Sequence, residues 1–487
     1  MQAIKTDRAG FFGRLLKPVD LTKGKPWKVI LVYSAPIILS YLLQQIYILA
    51  DAVICGQVLS AEEVAGVNDT YPLTFVFLQF AFGCTAGFSV ITARSVGCGE
   101  EHRVRTSFVS QLYLSAAISA LLTAVSVLSL KRLLSLINVT PENISVYNAA
   151  YSYCLIIFLG LFAQMGYNLV CGVLRAYGDS VTPLIFLVFS TVLNIVLDLL
   201  FLIPFKLGPA GAAAATVLAQ LISFAGCTAY TFLRYKNLKP DRREWRADAK
   251  ELTAHLKQGL PLGTQFSILA VGIIVMQSVV VKFDMAENGI MVAGTPAQNG
   301  FGAANKLIEF LMPLFMGLSS GILGFNAQNL GKRDTERIKC GTLQSLLIML
   351  CFYVFCLAVG LLLTVNGTYQ HIFMSADKIS EKSLMYGDIF IYVDMTLYFF
   401  LGFLLVARSA VQGIGKSGYV LGAGVAELIA RVVICLVMPI AVNGGEITAA
   451  ASPAAFAATC FGDPGAWILG SAFLVMPVMK HIVGKKY

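Results

Sequence analysis

The sequence predicts an all-α polytopic membrane protein of twelve transmembrane helices. They form two parallel six-helix bundles with pseudo-two-fold symmetry about the membrane normal. Three observations carry this. First, of 487 residues 57% are hydrophobic and only 13% charged, with a mean hydropathy of +0.75. A soluble domain cannot hide that much apolar surface, so the bilayer must solvate most of the chain. Second, twelve apolar runs are long enough to span. Third, two sequence blocks recur in the same order at nearly one offset.

A spanning helix needs about 20 apolar residues. Such runs lie at 29–54, 65–93, 106–130, 148–173, 183–205 and 209–233, then at 258–281, 302–330, 341–364, 386–411, 419–441 and 465–482. They are continuously apolar rather than alternating, which excludes barrel strands. Residues 1–28 are basic (Lys5, Arg8, Arg14, Lys17, Lys23, Lys25, Lys28) and lack an apolar core followed by a small-residue cleavage site. They read as a cytoplasmic lead-in, with the first span as insertion signal. The charged stretch RYKNLKPDRREWRADAKELTAHLK then separates six spans from six. The expected organisation is a segment 1–28, a bundle 29–233, a cytoplasmic linker 234–257 and a bundle 258–487.

The repeat supports that division. GCTAGFSVITARSVG at 83–97 lies over GLSSGILGFNAQNLG at 317–331, an offset of 234, and aligns Gly83, Gly87 and Gly97 with Gly317, Gly321 and Gly331. LRAYGDS at 174–180 lies over VQGIGKS at 411–417, an offset of 237. An even number of spans per half starts both halves on the same side. The repeats are therefore parallel, and a cavity is expected between them, as in transporters.

Charge sets orientation rather than function. Of 36 Lys and Arg, the segments on the side of the N-terminus hold 27, the opposite side 7 (Lys131, Arg132, Lys206, Lys282, Lys306, Lys378, Lys382), and Arg408 and Arg431 lie within spans. This is the positive-inside bias. It predicts a bacterial inner-membrane protein with both termini cytoplasmic, and it removes nucleic acid as a partner. The eleven cysteines lack CxxC pairs and partner histidines, so they read as small apolar packing residues, without disulfide or zinc site. His102, His255, His371 and His481 fall in predicted loops or near the C-terminus. There is no GxSxG, P-loop or HExxH motif. The chain is expected to be no enzyme, to need no cofactor, and to draw energy from an ion gradient.

Ionisable residues inside spans are costly and so informative. Asp51 lies near the end of the first span. Asp198 follows Asn194 by one turn in the fifth span, so both share a helix face. Thr216 lies in the sixth span and Asn168 in the fourth. Carboxylates, an amide oxygen and a hydroxyl suit Na⁺, and a buried carboxylate pair also suits H⁺. These five residues are the candidate cation-coupling site. Tyr47, Gln164 and Gln220 are candidates to face a drug cavity. In the second half, Arg431 stands at the place of Asn194 and Cys435 at that of Asp198. Glu427 and Arg431, four apart, are expected to form a structural ion pair on their own helix. Glu309 is expected to pair with Lys306, and Arg408 to snorkel.

These blocks together resemble the multidrug and toxic compound extrusion (MATE) family: QQIYILAD, GVLRAYGDS, NIVLDLLFL, GPAGAAAATVLAQ and GLSSGILGFNAQNLGKRD. The resemblance runs from about residue 28 to the end. It implies a V-shaped cavity between two bundles and antiport, by alternating access, of organic cations or other amphipathic compounds against H⁺ or Na⁺. Asp51, Asn194, Asp198 and Thr216 match the family's cation-site pattern, with Asn168 and Tyr47 beside it. One branch adds acids on the seventh and tenth helices. PLGTQFSILAVG and YFFLGFLLVARSA have none at the matching places, so the chain resembles the branch of the DNA-damage-inducible exporters. The expected partners are small amphipathic substrates and the lipid bilayer, with the chain acting as a monomer. The rival expectation is a flippase for lipid-linked oligosaccharide or another lipid, disfavoured because only Arg408 and Arg431 are seen within spans and no spans beyond twelve are found; a non-transport membrane protein, an enzyme or receptor, is disfavoured by the repeat and the absent motifs.

Overall fold

The computed structural model describes residues 17–246, 248–375 and 379–484. Lys5, Arg8, Arg14 and Lys378 of the expected charge pattern lie outside them. The described residues form helices, with one isolated bridge between Met285 and Met291 and no strand. In chain order they are α1 (Pro26–Val58), α2 (Ala61–Asp69), α3 (Tyr71–Cys98), α4 (Glu101–Leu136), α5 (Ile144–Leu159), α6 (Leu161–Ala176), α7 (Val181–Leu202) and α8 (Gly208–Arg234). Then follow α9 (Ala249–Lys282), α10 (Pro296–Leu311), α11 (Pro313–Gly331), α12 (Thr335–Thr364), α13 (Thr368–Phe373), α14 (Glu381–Gly413), α15 (Ser417–Asn443), α16 (Pro453–Cys460) and α17 (Gly462–Val478).

Eleven helical stretches are each long and apolar enough to cross a bilayer. The pair α5 and α6, bent by 43° at Gly160, brings the number to twelve. Every expected span falls on one of them. Local signals set the ends. Ser60 and Glu63 form a capping box at the start of α2, and Ser380 with Ser383 does the same for α14. Two repeat glycines, Gly178 and Gly415, follow α6 and α14 at φ of 83° and 78°, the left-handed termination that glycine permits. One boundary differs from expectation: α9 begins at Ala249, because Asp248 caps Lys250 N. Residues 249–257 are therefore helical, and His255 is a buried residue of α9, bonded to Ser107 and Glu251 O, rather than part of a loop.

The repeat glycines explain how the two halves meet. A Cβ placed on Gly83 would stand 2.7 Å from Gly263 Cα, and one on Gly87 2.6 Å from Gly259 Cα, so α3 lies backbone to backbone on α9. The equivalent glycines of α11, Gly317 and Gly321, press in the same way on Ile38 and Ser34 of α1. Ile38 and Ser34 are the counterparts of Gly263 and Gly259 when Pro36 is matched to Pro261. At the end of the seam the contacts are reciprocal. Gly97 abuts the backbone of Gln328, and Gly331 abuts that of Arg94, which is Gln328's own counterpart at the offset of 234. Gln328 Nε2 reaches on to Ala176 O at 2.7 Å. In lipid no hydrophobic drive holds helices together, so close approach through small residues must supply the packing.

Residues 17–25 close this end of the seam. Val19 N donates to Gly178 O at 3.0 Å in the first half. Leu21 is fully buried, and its carbonyl accepts from Asn329 and Arg337 of the second half at 3.1 and 3.2 Å. Arg337 also donates to Lys23 O and Gly24 O. The connection between the halves is anchored in turn. Glu244 accepts from Arg105 Nε at 2.8 Å and from Asp241 N at 2.8 Å, with His102 Nδ1 2.7 Å away. Burial works to raise the Glu244 pKa, but these hydrogen bonds, Arg105's first, outweigh it and hold the carboxyl at about 2.

If the seam is reciprocal, Gly97→Val and Gly331→Val destabilise to a similar degree, by about 1–3 kcal/mol each through overpacking. Thermal unfolding of the detergent-solubilised protein, followed by circular dichroism, measures this; a loss confined to one position contradicts the reciprocity. The Glu244 anchor predicts a pH signature. A depressed carboxylate pKa contributes stability in full above the ordinary value of 4.5, and that contribution is lost as pH falls toward about 2. The melting temperature of the wild type is expected to fall over that window more steeply than that of Glu244→Gln.

Candidate functional site

Four of the five predicted cation-site residues converge in the first half. Asn194 and Asp198 are buried on one face of α7. Asn194 Nδ2 donates to Thr216 Oγ1 of α8 at 3.3 Å, and the Tyr47 hydroxyl of α1 lies 3.2 Å from the same oxygen. The Asp51 carboxyl comes from α1, one turn beyond Tyr47, and stands close enough to Asp198 to share a hydrogen bond when one of them carries a proton. Among the described residues no Lys or Arg pairs with either acid. Asp51 Oδ1, Asn194 Oδ1 and both Asp198 oxygens have no hydrogen-bond partner in the protein. These are hard oxygen donors, and they fit a proton or a Na⁺ ion. Two neighbouring carboxylates, Asp198 buried and Asp51 half-buried, repel each other unless one or the other is present.

Asn168 goes elsewhere. It makes no hydrogen bond with this cluster and lines a cavity between the halves, with its Nδ2 lacking a partner. The cavity is narrow, with a volume of about 110 Å³. It is walled by α1, α3 and α6 from the first half and by their repeat counterparts α9, α11 and α14 from the second. Tyr41, Phe82, Phe266 and Leu405 give it an aromatic and apolar wall. Gln164 and Gln220 are half-buried outside it, and Tyr47 belongs to the acid cluster. Two cationic side chains, Arg175 and Arg408, line it.

In the second half the expected ion pair is corrected. Glu427 and Arg431 share α15 but do not bond to each other. Glu427 pairs with Arg408 of α14, and Arg431 pairs with Asp463 of α17 at 2.5 Å. The reason is packing: α15 lies against both neighbours, and a buried partner on another helix outweighs an i,i+4 contact of about 0.2–0.5 kcal/mol. Arg408 is therefore a buried, paired residue rather than a snorkelling one. Glu309 accepts from Asn305 Nδ2 at 2.9 Å, and no ion pair with Lys306 forms.

Two functional candidates are absent from the sequence reading. Asp394 of α14 is buried with neither oxygen bonded, near Arg431 and Asp463. It lies inside the apolar run 386–411, where the cost of an intramembrane acid points to it. It precedes the stretch YFFLGFLLVARSA, which itself holds no acid. Arg175 follows the expected end of the fourth span by two residues, but α6 continues to Ala176. The spacing Asn168, Gly172, Arg175 is one helical face, which is the signal that would have found it.

Fold and site together define a polytopic membrane transporter built on an internal repeat. The MatE family model matches twice, over residues 36–200 and 273–437, and the chain belongs to that family. Its relatives include the probable multidrug resistance protein YpnP of Bacillus subtilis, 29% identical over 66% of this chain and 69% of that protein. A FAD transporter of Shewanella oneidensis is 26% identical over 67% of this chain and 70% of its own. Among solved structures, a MOP superfamily transporter from Pyrococcus furiosus superposes with a TM-score of 0.81 at 20% identity, over 96% of this chain and 99% of that one. An outward-facing multidrug resistance MATE transporter gives 0.80 at 20% identity, over 94% and 97%.

The re-paired charges predict unequal couplings. A double-mutant cycle on Arg408 and Glu427, read from thermal unfolding, should give an interaction of about 1 kcal/mol or more. The same cycle on Glu427 and Arg431 should give about 0.5 kcal/mol or less. Equal values would restore the intrahelical pair.

Proposed function

We propose that the chain is a secondary active exporter of small amphipathic molecules, moved by alternating access against an inward flow of H⁺ or Na⁺. The observation that carries this reading is the Asp51–Asp198 pair, half-buried Asp51 on the cavity-forming helix α1 and buried Asp198 on α7, with no counter-cation among the described residues. Names of relatives such as the Bacillus subtilis multidrug resistance protein support export of foreign compounds. We place the chain in the bacterial inner membrane as a monomer, with both termini in the cytoplasm and the 17–25 strap on the cytoplasmic face.

The coupling runs through α1. Its N-terminal part, which includes Pro36, is anchored by Ile30, Tyr33, Ser34 and Ile37, whereas no residue from Ile38 to Ile54 is buried. Few packing contacts make this segment the part that moves most easily. It carries Tyr41 into the cavity and Asp51 into the acid cluster. A cation bound between Asp51 and Asp198 draws the far part of α1 toward α7, and the cavity wall moves with it. Release of the cation to the cytoplasm lets the repulsion between the carboxylates part them again. The ion drives the cycle only through its different affinity for the two arrangements.

Efflux from a pump-deficient bacterial host, loaded with either a cationic or an anionic fluorescent dye, tests the reading. Asp198→Asn, nearly the same shape, is expected to lower uphill export of any transported dye by about tenfold or more, in line with loss of a group that holds a charge. Collapsing one gradient, of protons or of Na⁺, should stop export and so identify the ion. Export that persists in the variant and with both gradients collapsed overturns antiport.

A further inference from the structure

The cavity between the halves is charge-asymmetric. Arg175 and Arg408 line it, and no aspartate or glutamate does. Arg408 is balanced by Glu427, which reaches it from α15 without entering the cavity wall. Arg175 has no such balance. Its Nε donates to Cys171 O at 3.3 Å, and no carboxylate lies within ion-pair distance. The nearest acid in sequence, Asp179, is committed elsewhere. Its oxygens accept from Thr182 N at 3.0 Å, Thr182 Oγ1 at 2.7 Å and the Tyr235 hydroxyl at 2.8 Å. A guanidinium held within a membrane protein without a counter-charge is costly. An anionic ligand would remove that cost.

The surroundings fit such a ligand. Asn168 stands two turns from Arg175 on the same face of α6, with its Nδ2 donor unpartnered. Gly172 lies between them and lets α6 pack closely on Ser89 of α3. Around these donors the wall is aromatic and apolar, with Tyr41 and Phe266 on opposing halves. We propose that this cavity binds an amphipathic organic anion, with Arg175 and Asn168 holding its carboxylate or phosphate and the aromatic wall holding its apolar body. An organic cation would instead meet an unneutralised guanidinium, a repulsive element that selects against it. This rests on the exporter reading and names its substrate class. A soluble anion and the head group of an anionic lipid present the same chemistry to Arg175.

The test uses the purified full-length protein, with carboxyfluorescein as the anionic probe and ethidium as the cationic one. Fluorescence anisotropy is expected to show carboxyfluorescein bound about tenfold or more tightly than ethidium, and Arg175→Gln to weaken it by about tenfold, the loss of a charge-assisted hydrogen bond. Arg175→Lys keeps the charge and should lose less. Preference of the wild type for ethidium overturns the proposal, whatever the variants do. So does unchanged anion affinity in a monodisperse Arg175→Gln. Repeating the titration in phosphatidylcholine vesicles with and without phosphatidylglycerol separates the two sources. Competition by the lipid that disappears in Arg175→Gln assigns a lipid head group to the site, and no competition assigns a soluble anion; both uphold the charge selectivity. Arg175-dependent binding without uphill transport in proteoliposomes, under either ion gradient, would leave this site standing while the exporter reading fails.

Discussion

Backbone must meet backbone between two halves that have no water to drive them together. In a bilayer the interface between helix bundles gains little from apolar burial, since lipid chains are as apolar as leucine. What remains is close van der Waals contact, available only where side chains are missing. Gly83, Gly87, Gly317 and Gly321 supply it along the seam, and Gly97 and Gly331 finish it with reciprocal contacts on Gln328 and Arg94. The cavity, the strap over its end and the placing of α1 all depend on those contacts.

The same seam accounts for the division of labour between halves. Because the repeat is parallel, the cavity is built from equivalent helices, α1, α3 and α6 facing α9, α11 and α14. The charges within are not equivalent. The first half keeps Asp51 and Asp198 beside each other with no Lys or Arg paired to either among the described residues. The second half ties Glu427 to Arg408 and Arg431 to Asp463, which makes its bundle a cross-braced body. By contrast α1 carries Pro36 within it and buries no residue from Ile38 to Ile54.

The buried charge in the second half also carries a cost. Replacing a buried pair by apolar residues of like volume is often neutral or stabilising, whereas removing one partner costs about 3–5 kcal/mol. Arg408 and Glu427 are thus better understood as fixing the position of α14 against α15 than as adding stability. That position matters, because α14 also presents Arg408 to the cavity and buries Asp394 beside Arg431 and Asp463.

Much of this architecture was legible in the chain itself. Hydropathy located twelve spans because each helix must satisfy its own backbone in lipid. The glycine offsets exposed the repeat, and the acids inside α1 and α7 could be singled out as a candidate cation site, since a charge there is costly. Asn194, Asp198 and Thr216 could be grouped because helix periodicity is a local rule. Partners across helices could not be read in that way. Whether Glu427 turns to Arg431 or to Arg408, whether Asn168 joins the acids or the cavity, and whether Arg175 ends a span or lines a binding surface depend on helix rotation and crossing. Those are set by contacts far apart in sequence, so only the tertiary structure decided them.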